Sequence, residues 1–289
     1  MSLRFINLTL ALISTAFLFA PPAHAQKKQT PEPPAATISR TLTRNESRRL
    51  AYGGTVTITG APVGSVTVEG WSRNSVEIVA EIEWRGASAA DLDVLAVVNN
   101  FVIDSDTNAV RIITTGTYDK NFMKKAGKKF PKNLYGLPWK IDYKLKVPQI
   151  CDLEIDSGVG AIKLAGVEGA IRVNALQSDA DLSLTGGFFR GTIQRGAVSV
   201  KIPARSWHGL GGMLQLAGGT LNISLMPGFS GDIDATILRL GEIKNSYADL
   251  APQEGSQPHL LLGRAGVGGA KLSFTVGDGQ IEIVQAGEQ

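Results

Sequence analysis

Two nine-residue segments that follow each other without a gap constrain the fold of this chain more than any other feature. Residues 160–168 read GAIKLAGVE and residues 169–177 read GAIRVNALQ, so both match the pattern Gly-x-Ile-x-Val/Leu. Apolar and polar residues alternate in each segment, which is typical of a β-strand with one buried face. Adjacent near-identical units favour a β-solenoid, in which each coil buries its apolar face by stacking on its neighbours.

Weaker copies of this pattern continue along the chain at a spacing of about 8 to 12 residues, which suits a sandwich, a barrel or a solenoid. We expect residues 271–276 and 280–284 to close the series, and residues 247–259 to form a loop between late coils. The alternation predicts that Lys163, Arg172, Ser183, Lys201 and Asn222 face water. It predicts that twelve residues are buried: Ile162, Leu164, Ile171, Val173, Leu182, Leu184, Val198, Val200, Ile202, Leu221, Ile223 and Leu225.

The N-terminal part, residues 40–118, carries the same alternation together with one helix. Strands are predicted at residues 54–60, 64–70 and 76–84, and a strand pair at residues 102–104 and 110–115. Ser88 and Asp91 match a helix capping box, so we expect one short helix that runs to about Val98. The predicted fold class is therefore all-β, a β-solenoid or β-helix-like stack with one short helix, and residues 137–289 form its repetitive part.

Residues 119–136 break the pattern, and we interpret them as a long basic loop. Six lysines alternate here with aromatic residues in a chain whose 29 Lys and Arg and 26 Asp and Glu are otherwise balanced. A solvated loop is the simpler interpretation, and contact with an anionic envelope surface such as phospholipid or a wall polymer is the functional one. The candidate contacts are Lys124, Lys125, Lys128 and Lys129, with Phe122 or Phe130 inserting among acyl chains.

The first 25 residues have the layout of a secretory signal peptide. Arg4 precedes an apolar run, and the run ends in PPAHA at residues 21–25. Small residues at this point suit signal peptidase, which predicts cleavage between Ala25 and Gln26, with an uncleaved membrane anchor as the alternative. Residues 26–39 are rich in Pro and Lys and predict a flexible linker. The protein is therefore expected to be exported, to the periplasm, the cell surface or the medium.

Taken together, these motifs resemble those of a bacterial family of exported or cell-envelope, adhesin-like proteins with β-solenoid domains of unknown function. The likeness is carried by GGTVTIT at residues 53–59, VTVEGW at 66–71 and the repeats at 160 and 169, and it covers most of the chain after the leader. The turn DSGVG at residues 156–160 keeps part of the family pattern, whereas residues 177–179 and 188–190 depart from it. The resemblance implies adhesion or envelope association and no reaction.

The sequence contains no complete catalytic or metal-binding motif. His208 and His259 stand in turn-like contexts without an adjacent nucleophile motif, and Cys151 has no basic partner in the sequence. One cysteine and two distant histidines do not make a zinc site. Asp152, Glu154 and Asp156 share one strand face, so they are either a solvated outer face or a Ca²⁺ or glycosidase site. We expect no cofactor and no bound metal.

The sequence therefore predicts a non-enzymatic interaction module rather than an enzyme. Its partner is an anionic envelope surface, a glycan or a protein, and the export signal disfavours nucleic acid. The alternative is a parallel β-helix enzyme, a lyase or hydrolase acting on carbohydrate. That alternative requires Asp152, Glu154 and Asp156 to line a groove with basic residues from neighbouring coils.

Overall fold

The computed structural model describes residues 37–126 and 129–287. These residues are predominantly β-structure, which confirms the predicted all-β class at that level. The signal peptide with Ala25 and Gln26, most of the predicted linker, and Lys128 lie outside the described residues. The first strand includes Ile38 and Ser39, which we had placed in the linker, so strand structure begins earlier than predicted.

Eighteen strands in the described residues form a single sheet. Their bounds are β1 (Ile38–Arg49), β2 (Thr55–Val63), β3 (Val66–Trp71), β4 (Ser75–Gly86), β5 (Asn100–Ser105), β6 (Ala109–Thr115), β7 (Trp139–Pro148), β8 (Asp152–Val159), β9 (Ile162–Ala165), β10 (Ala170–Gln177), β11 (Ala180–Ser183), β12 (Gly186–Ile202), β13 (His208–Leu225), β14 (Gly231–Ile237), β15 (Gly241–Asn245), β16 (Leu250–Pro252), β17 (Leu260–Ala265) and β18 (Lys271–Gln285). The helices are α1 (Ala89–Val98) and α2 (Lys120–Ala126), with one 3₁₀ turn at Lys132–Leu134.

The strands pair in two ladders that share three long strands. Ladder 1 runs β5-β6-β2-β8-β10-β12-β13-β18-β14-β17-β16, and ladder 2 runs β1-β4-β7-β3-β9-β11-β12-β13-β18-β15. The first half of β12 pairs in ladder 1 and its second half in ladder 2, and β13 and β18 do the same. All pairings in the middle of both ladders are parallel, from β2 and β3 to β18.

Paired strands between β8 and β12 are separated in the sequence by twice the length of one nine-residue unit. Hydrogen-bonded neighbours such as Asp156 and Asn174 are 18 residues apart in the sequence. The first nine-residue unit contributes β9 to ladder 2 and the second contributes β10 to ladder 1, and each pairs with a strand of its own ladder. The two units are similar because both are short strands that follow a corner, and this similarity does not make them stacking partners.

The core was predicted correctly by the alternation. All twelve residues expected inside are at most 2% exposed, and they belong to one hydrophobic cluster that takes in both ladders. Ile171 is representative: it lies between Leu153 of β8 and Phe189 of β12 and is 1% exposed. The five residues expected to face water, Lys163, Arg172, Ser183, Lys201 and Asn222, are exposed or half-buried. The inside and outside of the middle strands are therefore fixed by two-residue periodicity.

The N-terminal end is antiparallel. In ladder 2, β7 pairs with β4 and β4 with β1, and in ladder 1 β6 pairs with β5. The predicted helix is present as α1, where Ser88 Oγ accepts a hydrogen bond from the Asp91 amide at 3.2 Å and Asp91 Oδ2 accepts one from the Ser88 amide at 3.1 Å. This capping box explains why the helix begins at Ala89.

The C-terminal end departs from the expected order. We expected β18 to be the last coil, but it lies between β13 and the earlier segments β14 and β15. The last strand in the sequence is therefore not the last strand in either ladder, because β14 and β15 pair on the side of β18 that faces away from β13. Antiparallel β17 and β16 complete ladder 1 at this end, and β16 lies in the segment that we had expected to be a loop.

Glycines line one corner between the two ladders. The column is formed by Gly64, Gly160, Gly196, Gly219, Gly279 and Gly241, all with positive φ, and Ser178 occupies one place in it. At Gly219, with φ +138°, a Cβ atom would overlap the carbonyl oxygen of Gly196 on the neighbouring strand. The close approach of the backbones, together with the positive φ, therefore requires glycine at this corner.

Candidate functional site

The basic segment, which the structure describes at residues 119–126 and 129–136, contains helical structure where we predicted a loop. It contains α2 and the 3₁₀ turn Lys132–Leu134. The prediction of a single short helix was therefore wrong, because α2 is a second one. Asp119 starts α2, since its Oδ1 accepts hydrogen bonds from the amides of Asn121 at 2.8 Å and Phe122 at 3.1 Å. Asp is one of the preferred residues at the N-cap of a helix, so Asp119 is a start signal that could have predicted α2.

Apolar side chains hold the segment against the body of the protein. Met123 and Leu134 are 5% and 3% exposed, and Phe130 packs against the core. Phe130 also makes an edge-to-face contact with Tyr135, with 5.0 Å between ring centroids. Phe122 and Phe130 are both half-buried, and the hypothesis that one of them inserts among acyl chains stays a prediction. The exposed aromatic residue of the segment is Tyr135, at 40%.

The start of the segment is fixed by Tyr118. Its hydroxyl oxygen lies 2.7 Å from the carbonyl oxygen of Thr114 and 2.5 Å from that of Gly60, so it links the segment to β2. Burial, with a smaller contribution from the negative charge of Asp119, raises the pKa of Tyr118 to about 12. The phenol therefore stays protonated and able to donate at neutral pH.

The lysines that the structure describes in this segment are exposed and make no ion pair with any described residue. We call Lys120, Lys124, Lys125, Lys129 and Lys132 the basic cap; all five are exposed, and none makes an ion pair within residues 37–126 and 129–287. Elsewhere, many surface cations have acidic partners, as Arg264 has Asp232 with 2.8 Å between Nε and Oδ1. The basic cap includes three of the four predicted contact lysines and adds Lys120 and Lys132, which the sequence analysis counted but did not single out.

The carboxylate row, which is Asp152, Glu154 and Asp156, mainly makes contacts between neighbouring strands. Asp152 and Glu154 line a small cavity of about 160 Å³ with Arg172 and Arg190. The enzyme interpretation required all three carboxylates to line such a groove, and two of them do. However, Asp152 Oδ1 accepts a hydrogen bond from the Ala170 amide at 2.7 Å. Asp156 lies outside this cavity and accepts one from Asn174 Nδ2 at 2.7 Å. These carboxylates connect neighbouring strands, and the enzyme interpretation gains no support from them.

The cysteine and the two histidines of the described residues are buried or lie apart from one another. Cys151 is 1% exposed, and burial, reinforced by the nearby charge of Asp152, raises its pKa to about 12, which makes it a poor nucleophile. His208 is at the start of β13 and His259 precedes β17, and both are exposed. Within the described ranges, no three His, Cys, Asp or Glu side chains gather to hold a metal ion. In the same ranges, no helix has the length and apolar character needed to span a bilayer.

Comparison with known proteins identifies distant structural likenesses only. No family model and no curated protein sequence matches the chain. A solved "putative cell adhesion protein" from Clostridium sporogenes is 9% identical, with a TM-score of 0.40 over 84% of this chain and 100% of that one. A "putative adhesin" from Bacteroides fragilis is 11% identical, with a TM-score of 0.31 over 85% and 97%. Likenesses this distant support no inference about partner or activity.

Proposed function

We propose that this chain is an exported, non-enzymatic interaction module, built as a β-solenoid, that attaches to an anionic envelope surface through the basic cap. The solenoid interpretation is supported by the parallel ladders and by hydrogen-bonded partners 18 residues apart. The observation that carries the proposed attachment is the basic cap itself, five exposed lysines without acidic partners among the described residues.

The arrangement of the basic cap suits a flat, negatively charged partner better than a small ligand. Its backbone is held from beneath by Met123, Phe130 and Leu134, so the lysines project from a supported surface. Each lysine near an anionic bilayer contributes about 1 kcal/mol, and screening by salt weakens this attraction. Tyr135 adds an exposed aromatic ring of the kind that is enriched at bilayer interfaces.

Vesicle sedimentation tests the attachment. The test variant replaces Lys124, Lys125, Lys129 and Lys132 by Gln, and the matched control replaces the exposed sheet residues Lys144, Lys146, Lys163 and Lys201. Both variants lose four positive charges. We expect the test variant alone to lose about tenfold or more in partitioning to anionic vesicles at low salt, because about 1 kcal/mol per lysine is removed. Wild-type binding should also weaken as salt is raised.

Two outcomes would contradict the attachment. Equal losses in both variants would mean that overall charge, and not the basic cap, drives binding. Binding of the wild type to neutral vesicles as strong as to anionic ones would exclude a charge-based mechanism. The melting temperature of each variant serves as the folding control, since exposed lysines contribute little to stability and the one ion pair that is lost, Lys201 with Asp181 in the control variant, lies at the surface.

Export is a separate part of the proposal and has its own test. Residues 1–25 match a signal peptide, so the protein recovered from outside the cytoplasm should begin at Gln26. Intact-mass spectrometry of that protein measures the cleavage point directly. A mass that includes Met1 to Ala25 would instead support the uncleaved membrane anchor.

A further inference from the structure

A groove follows the glycine corner between the two ladders. It has a volume of about 820 Å³, and its walls come from successive strands, including Val159 of β8, Gln177 of β10, Arg195 of β12 and Gly218 of β13. A second cavity of about 360 Å³ shares Leu176 and Gln194 with it and continues toward Tyr118. The combined groove, which we call the corner groove, therefore crosses the strands and suits an elongated ligand.

The backbone of this corner is already hydrogen-bonded within the stack. The amide of Gly160 donates to Gln177 O at 3.0 Å, that of Ser178 to Arg195 O at 2.9 Å, and that of Gly279 to Leu240 O at 2.8 Å. A peptide that binds by adding a β-strand needs a free row of backbone donors and acceptors. Because these groups are used between coils, the corner groove offers side chains instead, which disfavours an added peptide strand.

The side chains on offer are planar polar groups. Gln177, Gln194 and Arg195 are exposed, and in the described part of the chain their side chains make no hydrogen bond or ion pair. Gln177 and Arg195 are partners on adjacent strands, so their positions repeat at the strand spacing of about 4.8 Å. Amide and guanidinium groups spaced in this way can meet the hydroxyl groups of successive sugar units.

The charge and the apolar surface of the corner groove indicate which class of ligand it suits. At one end, Arg239 binds Asp278, with 3.0 Å from Nε to each carboxylate oxygen, so this acidic residue is neutralised. Arg195 is left as a cation without an acidic partner among the described residues and is suited to a carboxylate. Leu176 and Val159, 54% and 43% exposed, offer apolar contacts to the faces of sugar rings.

We propose that the corner groove binds a linear acidic polysaccharide whose sugar units carry carboxylates. The proposal rests on the proposed function as an interaction module and names a second partner for it. The concave groove and the outward-facing basic cap are separate surfaces with different residues. A chain that is held at an anionic surface through one of them can bind a sugar polymer through the other.

Gly218 allows the groove to be blocked without straining the backbone. Its φ is not positive, and a Cβ atom would contact only Asp278 O at 3.8 Å, so Gly218→Tyr should place a ring in the groove. Gly136→Tyr is the matched control, because Gly136 has open space around it and lies outside the groove. Arg195→Gln removes the charge and keeps a planar polar group.

Isothermal titration calorimetry with polygalacturonate, alginate and methyl-esterified polygalacturonate tests the proposal. We expect the wild type to bind at least one of the two acidic polymers and to bind the esterified polymer at least about tenfold more weakly. Gly218→Tyr and Arg195→Gln should each weaken binding of the acidic polymer by about tenfold or more. Gly136→Tyr should bind as the wild type does, and melting curves should be unchanged in all three variants.

Three results would overturn the corner groove as the site. The first is a wild type that binds neither acidic polymer, and the second is unchanged binding by both groove variants. The third is loss of polymer binding in the basic-cap variant alone, which would assign the polymer to the lysines. Loss of vesicle binding with retained polymer binding in that variant would support the groove, so the two proposals can fail separately.

Discussion

The parallel middle of the molecule, from β8 to β13, and its antiparallel N-terminal end achieve stability in different ways. In the middle, short aliphatic residues stack in rows, and Ile171 and Val173 are representative of them. At the N-terminal end, large aromatic residues are buried and make specific hydrogen bonds: Trp84 Nε1 donates to Asn99 O at 2.9 Å, and the Thr114 and Tyr143 hydroxyls lie 2.8 Å apart. The middle is held together by rows of aliphatic contacts, whereas the N-terminal end is held together by individual hydrogen bonds of large buried side chains.

A charge in the middle of the stack should have the largest effect. Ile171→Asp places a carboxylate in a site that is 1% exposed, between two apolar neighbours, where nothing can pair with it. We expect the free energy of unfolding to fall by several kcal/mol, measured by urea denaturation. The control is Arg172→Gln, one residue away on the outer face, which should change stability little. Equal effects of the two substitutions would contradict the assigned inside of the stack.

Two neighbouring glycines test the corner between the ladders. Gly219→Ala should destabilise by about 3 kcal/mol or more, because its φ is +138° and the new Cβ atom overlaps the Gly196 carbonyl. Gly218→Ala should cost less than about 1 kcal/mol, since its φ is not positive and its surroundings are open. Thermal unfolding of both variants measures the difference. Similar melting temperatures would mean that the corner backbone moves freely to accept a side chain.

The sequence predicts the middle better than the ends because alternation carries most of the information there. The twelve predicted core residues are buried, yet the tandem units at residues 160–168 and 169–177 lie in different ladders. Sequence similarity identifies strands that follow a corner and does not identify which strands stack. The position of β18 inside β14 and β15 is a long-range pairing, so no local pattern predicts it.

The candidate sites show the same limit of local patterns. The lysines of the basic cap were visible in the sequence, but the burial of Phe130 against the core depends on tertiary packing. The corner groove combines residues of β8, β10, β12, β13 and β18, which are distant in the sequence and come together only through the ladder order. Gln177 and Arg195 therefore had no sequence signal that would single them out as partners.

At the N-terminal end, a single hydrogen bond can be tested against a matched one. Trp84→Phe removes the bond to Asn99 O at the end of α1 and leaves a small void, in a side chain that is 1% exposed. We expect a loss of about 2 kcal/mol. Trp71→Phe is the control, because Trp71 is half-buried and donates to Ser75 O in a turn, so its loss should be smaller. Urea midpoints compare the two, and a larger loss for Trp71→Phe would contradict the importance of buried contacts at this end.

The smallest expected effect is at Asp142 of β7, which connects the antiparallel end to Ser65, the residue before β3. Its Oδ1 accepts hydrogen bonds from the Ser65 amide at 2.7 Å and the Ser65 hydroxyl at 2.8 Å, and Lys140 Nζ lies 2.8 Å from Oδ2. Burial by itself raises the pKa of Asp142, but the hydrogen bonds from Lys140 and Ser65 outweigh it and hold the pKa below its usual value. The carboxylate therefore stabilises the fold above the pKa of the unfolded chain, and this contribution is lost as the pH falls through the folded pKa.

Asp142→Asn keeps a side-chain oxygen that can accept the hydrogen bond from the Ser65 amide, and it removes the negative charge of the carboxylate. We expect a loss of about 1 kcal/mol near pH 7, because a charge-assisted contact is replaced by a neutral one. The difference from the wild type should shrink as the pH falls below the usual carboxyl range near 4, since protonation then removes the charge of Asp142 itself. Urea denaturation at neutral and acidic pH measures this convergence. A difference that is independent of pH would mean that the shape of the contact, and not its charge, joins the antiparallel end to the parallel middle.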